Sequence, residues 1–160
     1  NIFLIFECTL FRKFKNKKDI VLQGVNQVQW RANVTPQIFK NVKWDLQADI
    51  EMYMRTYLDK MTPDFVNLSI GLRAPQLYDE TASLIMKVPQ AFLSSFTDYL
   101  KKMYNMGKIH KADFEALAMT VFSSAFGYAF LCASFGNELS KVEKDEYIKN
   151  SVKMFIKGLE

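Results

Sequence analysis

Residues 112–135, ADFEALAMTVFSSAFGYAFLCASF, decide the fold class of this chain. After Asp113 the stretch contains a single charged residue, Glu115, and Gly136 follows it as a stop signal. A segment this long and this apolar is a helix that cannot face water on any side. The sequence therefore predicts a helical protein built around one long, covered apolar helix.

The other segments repeat the helical pattern. Their apolar residues recur at spacings of three and four, and the 160 residues include only six glycines and four prolines. No alternation typical of strands competes with this period, so the sequence predicts an all-α fold. Helices are expected at residues 19–33, 45–61, 90–106, 112–135 and 144–159, a connection or short helix at 34–42, and two short helices or one kinked helix at 65–88.

Positive charge is concentrated near the beginning of the chain. Residues 1–44 carry eight basic and two acidic side chains, whereas the remaining 116 residues carry 13 basic and 15 acidic ones. Five of the basic residues lie between Arg12 and Lys18, where a polyanion such as nucleic acid would be attracted. The alternative is that these lysines form an ordinary solvated helix end, and composition alone does not separate the two interpretations.

Residues 9–20, TLFRKFKNKKDI, resemble the end of the DNA-binding unit in the tetracycline-repressor (TetR) family of bacterial regulators. The family shows Thr-Leu-Tyr, two variable residues, Phe, two more, Lys, and then an acidic and an aliphatic residue. This chain has phenylalanine where the family has tyrosine. The matching positions are Thr9, Leu10, Phe14, Lys17 and Ile20.

A recognition helix needs an apolar inner side and a cationic outer side for the major groove and the flanking phosphates. Arg12 and Lys13 occupy the outer positions of this stretch. The resemblance further implies phosphate contacts from Thr9 and Lys17, whereas Phe11 lacks the hydroxyl that the family's tyrosine can offer. The predicted DNA-binding residues are Thr9, Phe11, Arg12, Lys13 and Lys17.

The resemblance also implies that the helix-turn-helix is incomplete in this sequence. Residues 1–6, NIFLIF, look like the end of the family's first helix, yet Glu7 already leads into the recognition unit. We expect about 25 residues of a mobile DNA-binding domain to be absent between Phe6 and Glu7, which a backbone break there would support. The predicted domains are a partial DNA-binding domain with its linking helix at 1–33 and an effector-binding and dimerisation domain at 34–160.

The middle of the chain is rich in side chains that suit either a core or a deformable pocket. Eight methionines and 14 phenylalanines are first of all core residues, but walls of methionine and aromatic rings also accept ligands of varied shape. By resemblance, this region binds a small-molecule effector. The predicted ligand-binding residues are Tyr53, Met54, Tyr57, Met61, Phe65, Met86, Phe92, Phe96, Tyr99, Met103 and Phe122.

Small side chains within residues 112–135 would let another helix approach closely. The resemblance implies a two-fold dimer in which this helix and the last one pack against their copies as a four-helix bundle. The alternative is a contact within one chain. The predicted interface residues are Ser123, Gly127, Phe130, Ser134, Val152, Phe155 and Ile156.

These features together predict an effector-responsive transcriptional regulator. It would be a repressor that binds a palindromic operator in double-stranded DNA as a homodimer and is released by a small apolar or aromatic ligand. The alternative is a helical adaptor or dimeric scaffold protein without a small ligand. A ligand-sized cavity would distinguish the two.

Enzymatic activity is not expected. His110 is the only histidine and has no nucleophile or carboxylate beside it in a recognisable arrangement, and Asp79-Glu80 lacks the helical partners of a two-metal site. Cys8 and Cys132 form neither a zinc site nor a disulfide framework, so no metal or cofactor is expected. Cys8 either senses oxidants among its cationic neighbours or is simply a small residue.

No uninterrupted apolar run reaches the roughly 18–20 residues that cross a bilayer. The sequence therefore predicts a soluble, cytoplasmic protein without a membrane partner.

Overall fold

The computed structural model of the chain describes Asp19 and residues 41–159. This part of the chain contains α-helices and no strand, which confirms the all-α prediction. The helix predicted at 19–33, apart from the helical Asp19, lies outside the described residues, as do the recognition segment and the expected gap between Phe6 and Glu7. The helices within residues 41–159 are α1 at Leu46–Lys60, α2 at Pro63–Gly71, α3 at Pro75–Asn105, α4 at Phe114–Phe135 and α5 at Lys144–Lys157.

Three helices begin at side chains that accept a hydrogen bond from the first turn. The Asp45 carboxylate accepts from the Ala48 amide at 2.7 Å, and the Asp113 carboxylate caps α4 in the same way. Thr62 caps α2 ahead of Pro63, whose missing N–H would be unpaired at that position in any case. The helix start predicted at residue 45 is confirmed, and α2 begins just after Thr62, two residues before the predicted start at 65.

Two glycines end helices in the left-handed region of backbone space. Gly107 has φ +70°, and its amide donates to the carbonyl of Tyr104 while the Lys108 amide donates to Met103, which closes α3. Gly136 has φ +55° at the end of α4. A side chain would be strained at both positions. The stop predicted at Gly136 is therefore confirmed, and Gly107 ends α3 for the same physical reason.

The prediction of a separate helix beginning at residue 90 is wrong. α3 is continuous from Pro75 to Asn105 and contains Pro89 in its interior. A proline there removes one helical hydrogen bond and costs about 3 kcal/mol when nothing compensates. Phe92, Phe96 and Tyr99 lie in the next turns and are buried, and their packing holds the helix together across the proline.

The core lies between α1 and α3, with α4 and α5 closing it. α4 packs against α1, α2 and α3, while α5 packs against α1. Two ion pairs, Arg55 with Asp145 and Lys144 with Asp59, join α1 and α5 at the surface. The buried core side chains of α1 and α3 are Ile50, Tyr53, Met54, Tyr57, Leu58, Phe92, Phe96, Tyr99, Leu100 and Met103.

The expectation that α4 faces water on no side is wrong for the single chain. Its buried stripe consists of Ala118, Val121, Ala125 and Ala129, whereas Leu131 is 43% exposed and other apolar side chains are exposed as well. The side chains of this inner stripe are small. Larger apolar side chains of the same helix lie on its solvent-facing side. α4 therefore presents an apolar outer face.

One sequence expectation about membranes also needs correction. Among the described helices, α4 is long and apolar enough to cross a membrane when only length and composition are considered. Its serines and threonine do not lower its hydropathy enough to exclude that. Core helices of soluble proteins satisfy the same criterion, so the finding is weak evidence for a membrane.

Candidate functional site

A cavity of about 120 Å³ lies among α1, α2, α3 and α4, and it is partly open to solvent. An apolar cavity of about 150 Å³ in another protein binds benzene, so this cavity, which is somewhat smaller but partly open, is near the size of one aromatic ring. Its walls are mostly apolar. The lining residues are Tyr57, Met61, Phe65, Ser69, Arg73, Ile85, Pro89, Phe122 and Phe126.

Ring contacts hold one wall of the cavity in place. Tyr57 meets Phe92 edge to face at a centroid distance of 5.0 Å and Phe122 at 5.4 Å. Phe122 in turn stacks on Phe126, one turn further along α4, at 6.3 Å. Because these rings come from α1, α3 and α4, a ligand that displaces one of them must move a helix or change a rotamer.

Pro89 explains part of the opposite wall. Since proline has no N–H, the carbonyl of Ile85 one turn earlier has no helical donor, and both residues line the cavity. Ser69 on α2 uses its hydroxyl proton to donate to the Val66 carbonyl at 2.8 Å. The polar groups of this wall are therefore acceptors, whereas the possible donors of the lining, Tyr57 and Arg73, lie on α1 and in the connection between α2 and α3.

Among the described residues that line the cavity, Arg73 is the one that is charged. Burial raises the pKa of the Tyr57 phenol, while the positive charge of Arg73 opposes that rise, so the guanidinium acts on this hydroxyl. Within residues 41–159, no carboxylate forms an ion pair with Arg73. The mouth of the cavity is therefore positively charged.

Four of the eleven predicted ligand-binding residues line this cavity: Tyr57, Met61, Phe65 and Phe122. Met86 does not line it and is 49% exposed on α3. The other six are buried in the core beside it and do not line it, namely Tyr53, Met54, Phe92, Phe96, Tyr99 and Met103. Which of the eleven contact an effector stays a prediction.

Sequence reasoning missed five lining residues, which are Ser69, Arg73, Ile85, Pro89 and Phe126. Pro89 lies between the predicted helical stretches 65–88 and 90–106, and Arg73 lies between Gly71 and Pro75. Helical spacing therefore gave no signal for either residue. Phe126 follows Phe122 at a spacing of four, so helical periodicity could have found it. Ser69 and Ile85 carried no signal that would have distinguished them from their neighbours.

A second polar cluster lies where the chain enters α1. Asp49 is 1% exposed, and its carboxylate accepts hydrogen bonds from the amides of Lys43 at 2.7 Å and Asp45 at 3.1 Å and from the Tyr99 hydroxyl at 2.9 Å. Trp44, with φ +58°, stacks on Tyr99 at 5.9 Å. We call this cluster the Asp49 clamp; it fastens residues 43–45 to α1 and α3.

A continuous series of packed aromatic rings connects the Asp49 clamp to the cavity. Successive ring centroids in it are 4.6–5.9 Å apart. The first ring precedes α1, the next five belong to α3 and α1, and the last belongs to α4. A shift of any one ring therefore displaces a packed neighbour. In order, the rings are Trp44, Tyr99, Phe96, Tyr53, Phe92, Tyr57 and Phe122.

The predicted interface residues are distributed over two environments. On α4, Ser123 and Ser134 are exposed, and Gly127 and Phe130 are partly so. A Cβ added at Gly127 would meet nothing within 4 Å, because this position faces outward. On α5, Val152 and Phe155 are buried in the core of their own chain, and Ile156 is partly buried, so only the α4 members offer much surface.

The predicted DNA-binding residues Thr9, Phe11, Arg12, Lys13 and Lys17 lie outside the described part of the chain, as does Cys8. In the described ranges, no group of three or more histidine, cysteine, aspartate or glutamate side chains is placed to hold a metal ion. His110 is exposed between α3 and α4.

Comparison with known proteins agrees with this architecture. The family model for the C-terminal domain of AefR-like transcriptional repressors matches residues 46–158. A protein of Bacillus subtilis (strain 168) described as the uncharacterized HTH-type transcriptional regulator YvkB is 24% identical over 155 residues, which cover 97% of this chain and 80% of that protein. No solved structure matches the chain. The family match runs from the start of α1 to the end of α5, and the chain therefore belongs to the TetR family of transcriptional regulators, with a C-terminal domain of the AefR-like repressor type.

Proposed function

We propose that this regulator is an effector-responsive repressor. As a homodimer it binds a palindromic operator in double-stranded DNA, and it leaves the operator when a small apolar or aromatic ligand enters the cavity among α1 to α4. The observation that carries this proposal is the apolar cavity itself, which is near the size of one aromatic ring. A dimeric scaffold without a ligand would have no use for such a cavity.

α1 connects the cavity with the DNA-binding end, so it can transmit the effect of ligand binding. Tyr57 on this helix lines the cavity, and Asp49 on the same helix holds residues 43–45, which precede α1 and follow the segment that carries the recognition motif. Ligand binding that shifts α1 thus changes the orientation in which the DNA-binding domains leave the dimer. A coupling of about 1–3 kcal/mol between the two sites is typical and lowers operator affinity about 5- to 150-fold.

The outer face of α4 supports the homodimer. Small side chains at Ser123, Gly127 and Ser134 leave room for a second helix, and exposed Leu131 and Phe135 lie on the same helix. Apolar surface of this kind on a regulator is typical of an interface. In the dimer two recognition helices would reach successive major grooves about 34–36 Å apart.

The same proposal accounts for the remaining expectations. A protein that acts on DNA works in the cytoplasm of a bacterium, and covering by a second copy explains the apolar length of α4 without a membrane. The proposed mechanism uses binding equilibria alone, so it requires no catalysis, metal or cofactor.

The test uses the protein with its N-terminal DNA-binding segment present. We expect sedimentation to give a dimer at micromolar concentration, and selection from a random duplex library to enrich a palindromic sequence. Binding to that duplex should weaken steeply between 50 and 200 mM salt, by about 10³-fold or more if six or more phosphates are contacted. A monomer, or a protein that enriches no duplex at low salt, would contradict the proposal.

A further inference from the structure

We infer that the cavity ligand is an apolar carboxylate whose anionic group is bound by Arg73 and Tyr57 at the mouth and whose ring or acyl body lies among Met61, Phe122 and Phe126. This inference rests on the proposed function, because it names the chemical class of the effector. It depends on three properties of the cavity, which are its charge, its donors and its size.

The charge of the cavity selects for an anion. Arg73 remains protonated at any physiological pH, and no carboxylate lines the cavity or pairs with this guanidinium within the described residues. A cationic ligand would be repelled at the mouth. A neutral ligand would leave the guanidinium without a partner, whereas a carboxylate can form two parallel charge-assisted hydrogen bonds with it.

Arg73 is held in position by its backbone, so its guanidinium reaches a restricted region. It lies in the connection from Gly71 to Pro75, where its amide donates to the Ile70 carbonyl at 3.0 Å. Its neighbour Leu72 is fully buried, and the Leu72 carbonyl accepts from the Thr81 hydroxyl at 2.6 Å. The Ala74 amide donates to the Gly71 carbonyl at 3.1 Å, so the backbone is hydrogen-bonded on both sides of the arginine.

A second donor lies beside the arginine. The Tyr57 side chain lines the same cavity, and its hydroxyl is close enough to Arg73 for the two to interact electrostatically. Its phenol keeps its proton at neutral pH because burial raises its pKa, so it can donate to an anion. The guanidinium and the phenol together match the two oxygens of a carboxylate.

The size and lining of the cavity restrict the apolar part of the ligand. About 120 Å³ is near the size of one ring, and the stacked Phe122 and Phe126 offer a ring an aromatic wall with Met61 as an adaptable neighbour. Because the cavity is partly open, the polar end can stay near the surface while the ring is enclosed.

Three one-ring probes of similar size test the inference with the dimer: benzoate, benzyl alcohol and benzylamine. We expect calorimetry or ligand-observed NMR to show that benzoate binds at least about 10-fold more tightly than the other two. Arg73→Gln should abolish this preference and leave the affinity for benzyl alcohol unchanged, and Tyr57→Phe should weaken benzoate binding several-fold. Arg55→Gln, which removes an exposed arginine of α1 outside the cavity, serves as the matched control and should not change the preference.

The inference would be overturned by equal or weaker binding of benzoate compared with the alcohol or the amine, or by an unchanged benzoate affinity in Arg73→Gln. Failure of all three probes to bind up to millimolar concentration would overturn it as well. Operator binding measured in the same samples separates this inference from the proposed function. A neutral ligand that releases DNA would refute the inference alone, whereas benzoate that binds through Arg73 without affecting DNA would refute the effector-responsive function alone.

Discussion

The Asp49 clamp gives a quantitative prediction through Tyr99→Phe. The Tyr99 hydroxyl donates to a carboxylate oxygen that is almost fully buried, at 2.9 Å. Hydrogen bonds to charged groups contribute about 1.5–3 kcal/mol, and the phenylalanine ring can keep the stacking on Trp44 and Phe96. Because two backbone amides still donate to Asp49, we expect a loss of about 2 kcal/mol rather than the larger cost of an isolated buried charge.

The loss should be visible as a lower free energy of unfolding in urea, followed by circular dichroism at one fixed protomer concentration. In a protein of this size it should lower Tm by about 4–8 °C. Tyr104→Phe is the matched control, since Tyr104 is exposed on the same helix, and its effect should stay within about 0.5 kcal/mol.

A double-mutant cycle identifies the partner. If the effect of Tyr99→Phe arises from its bond to Asp49, it should shrink by at least about 1 kcal/mol in an Asp49→Asn background. A loss of stability equal to that of the Tyr104 control, or an effect unchanged in the Asp49→Asn background, would refute the reasoning that this hydrogen bond fastens the segment before α1.

Three further predictions concern the helix surfaces and α3. Gly127→Trp should shift the protein from dimer to monomer in sedimentation, whereas Gly127→Ala should leave the dimer intact. The space beyond this glycine is open in one chain, so a large side chain would collide only with a partner. Equal behaviour of the two variants would count against an interface at this position. The Arg55 guanidinium lowers the pKa of the Asp145 carboxyl below its ordinary value of 3.8, so the ion pair stabilises the folded state above that pH and stops doing so as the pH falls through the lowered folded pKa. Urea unfolding should therefore show a stability difference between wild type and Arg55→Gln at pH 7 that vanishes near pH 2, and a difference that persists there would contradict the assignment. Pro89→Ala should stabilise the domain by about 2 kcal/mol, because the restored amide can donate to the Ile85 carbonyl; a destabilised variant in thermal unfolding would mean that the proline is better accommodated than its helical position indicates.

Much of the helical framework was predictable because its signals are local. A capping side chain acts on an amide three residues away, as Asp45 does on Ala48, and a glycine such as Gly107 stops a helix through its own backbone angle. The family was recognisable from a short motif at 9–20, which lies outside the described residues, and the roles predicted for that motif stay predictions.

The candidate site was predictable only in part. Helical spacing found Tyr57, Met61, Phe65 and Phe122, but it also selected core residues such as Phe96, because periodicity identifies the inward face of a helix without saying whether that face meets protein or empty space. The lining of a cavity depends on how several helices fail to fill the volume between them.

By itself, the sequence determined the all-α class, the capped ends of the helices and the family, since each depends on residue types within a few positions of one another. Only the tertiary structure decided that α3 continues through Pro89, that Arg73 stands at the mouth of a cavity and that α4 keeps an apolar outer face. These three features depend on contacts between helices that are far apart in the chain. Such contacts can outweigh the local cost of a proline and determine which apolar surface remains uncovered.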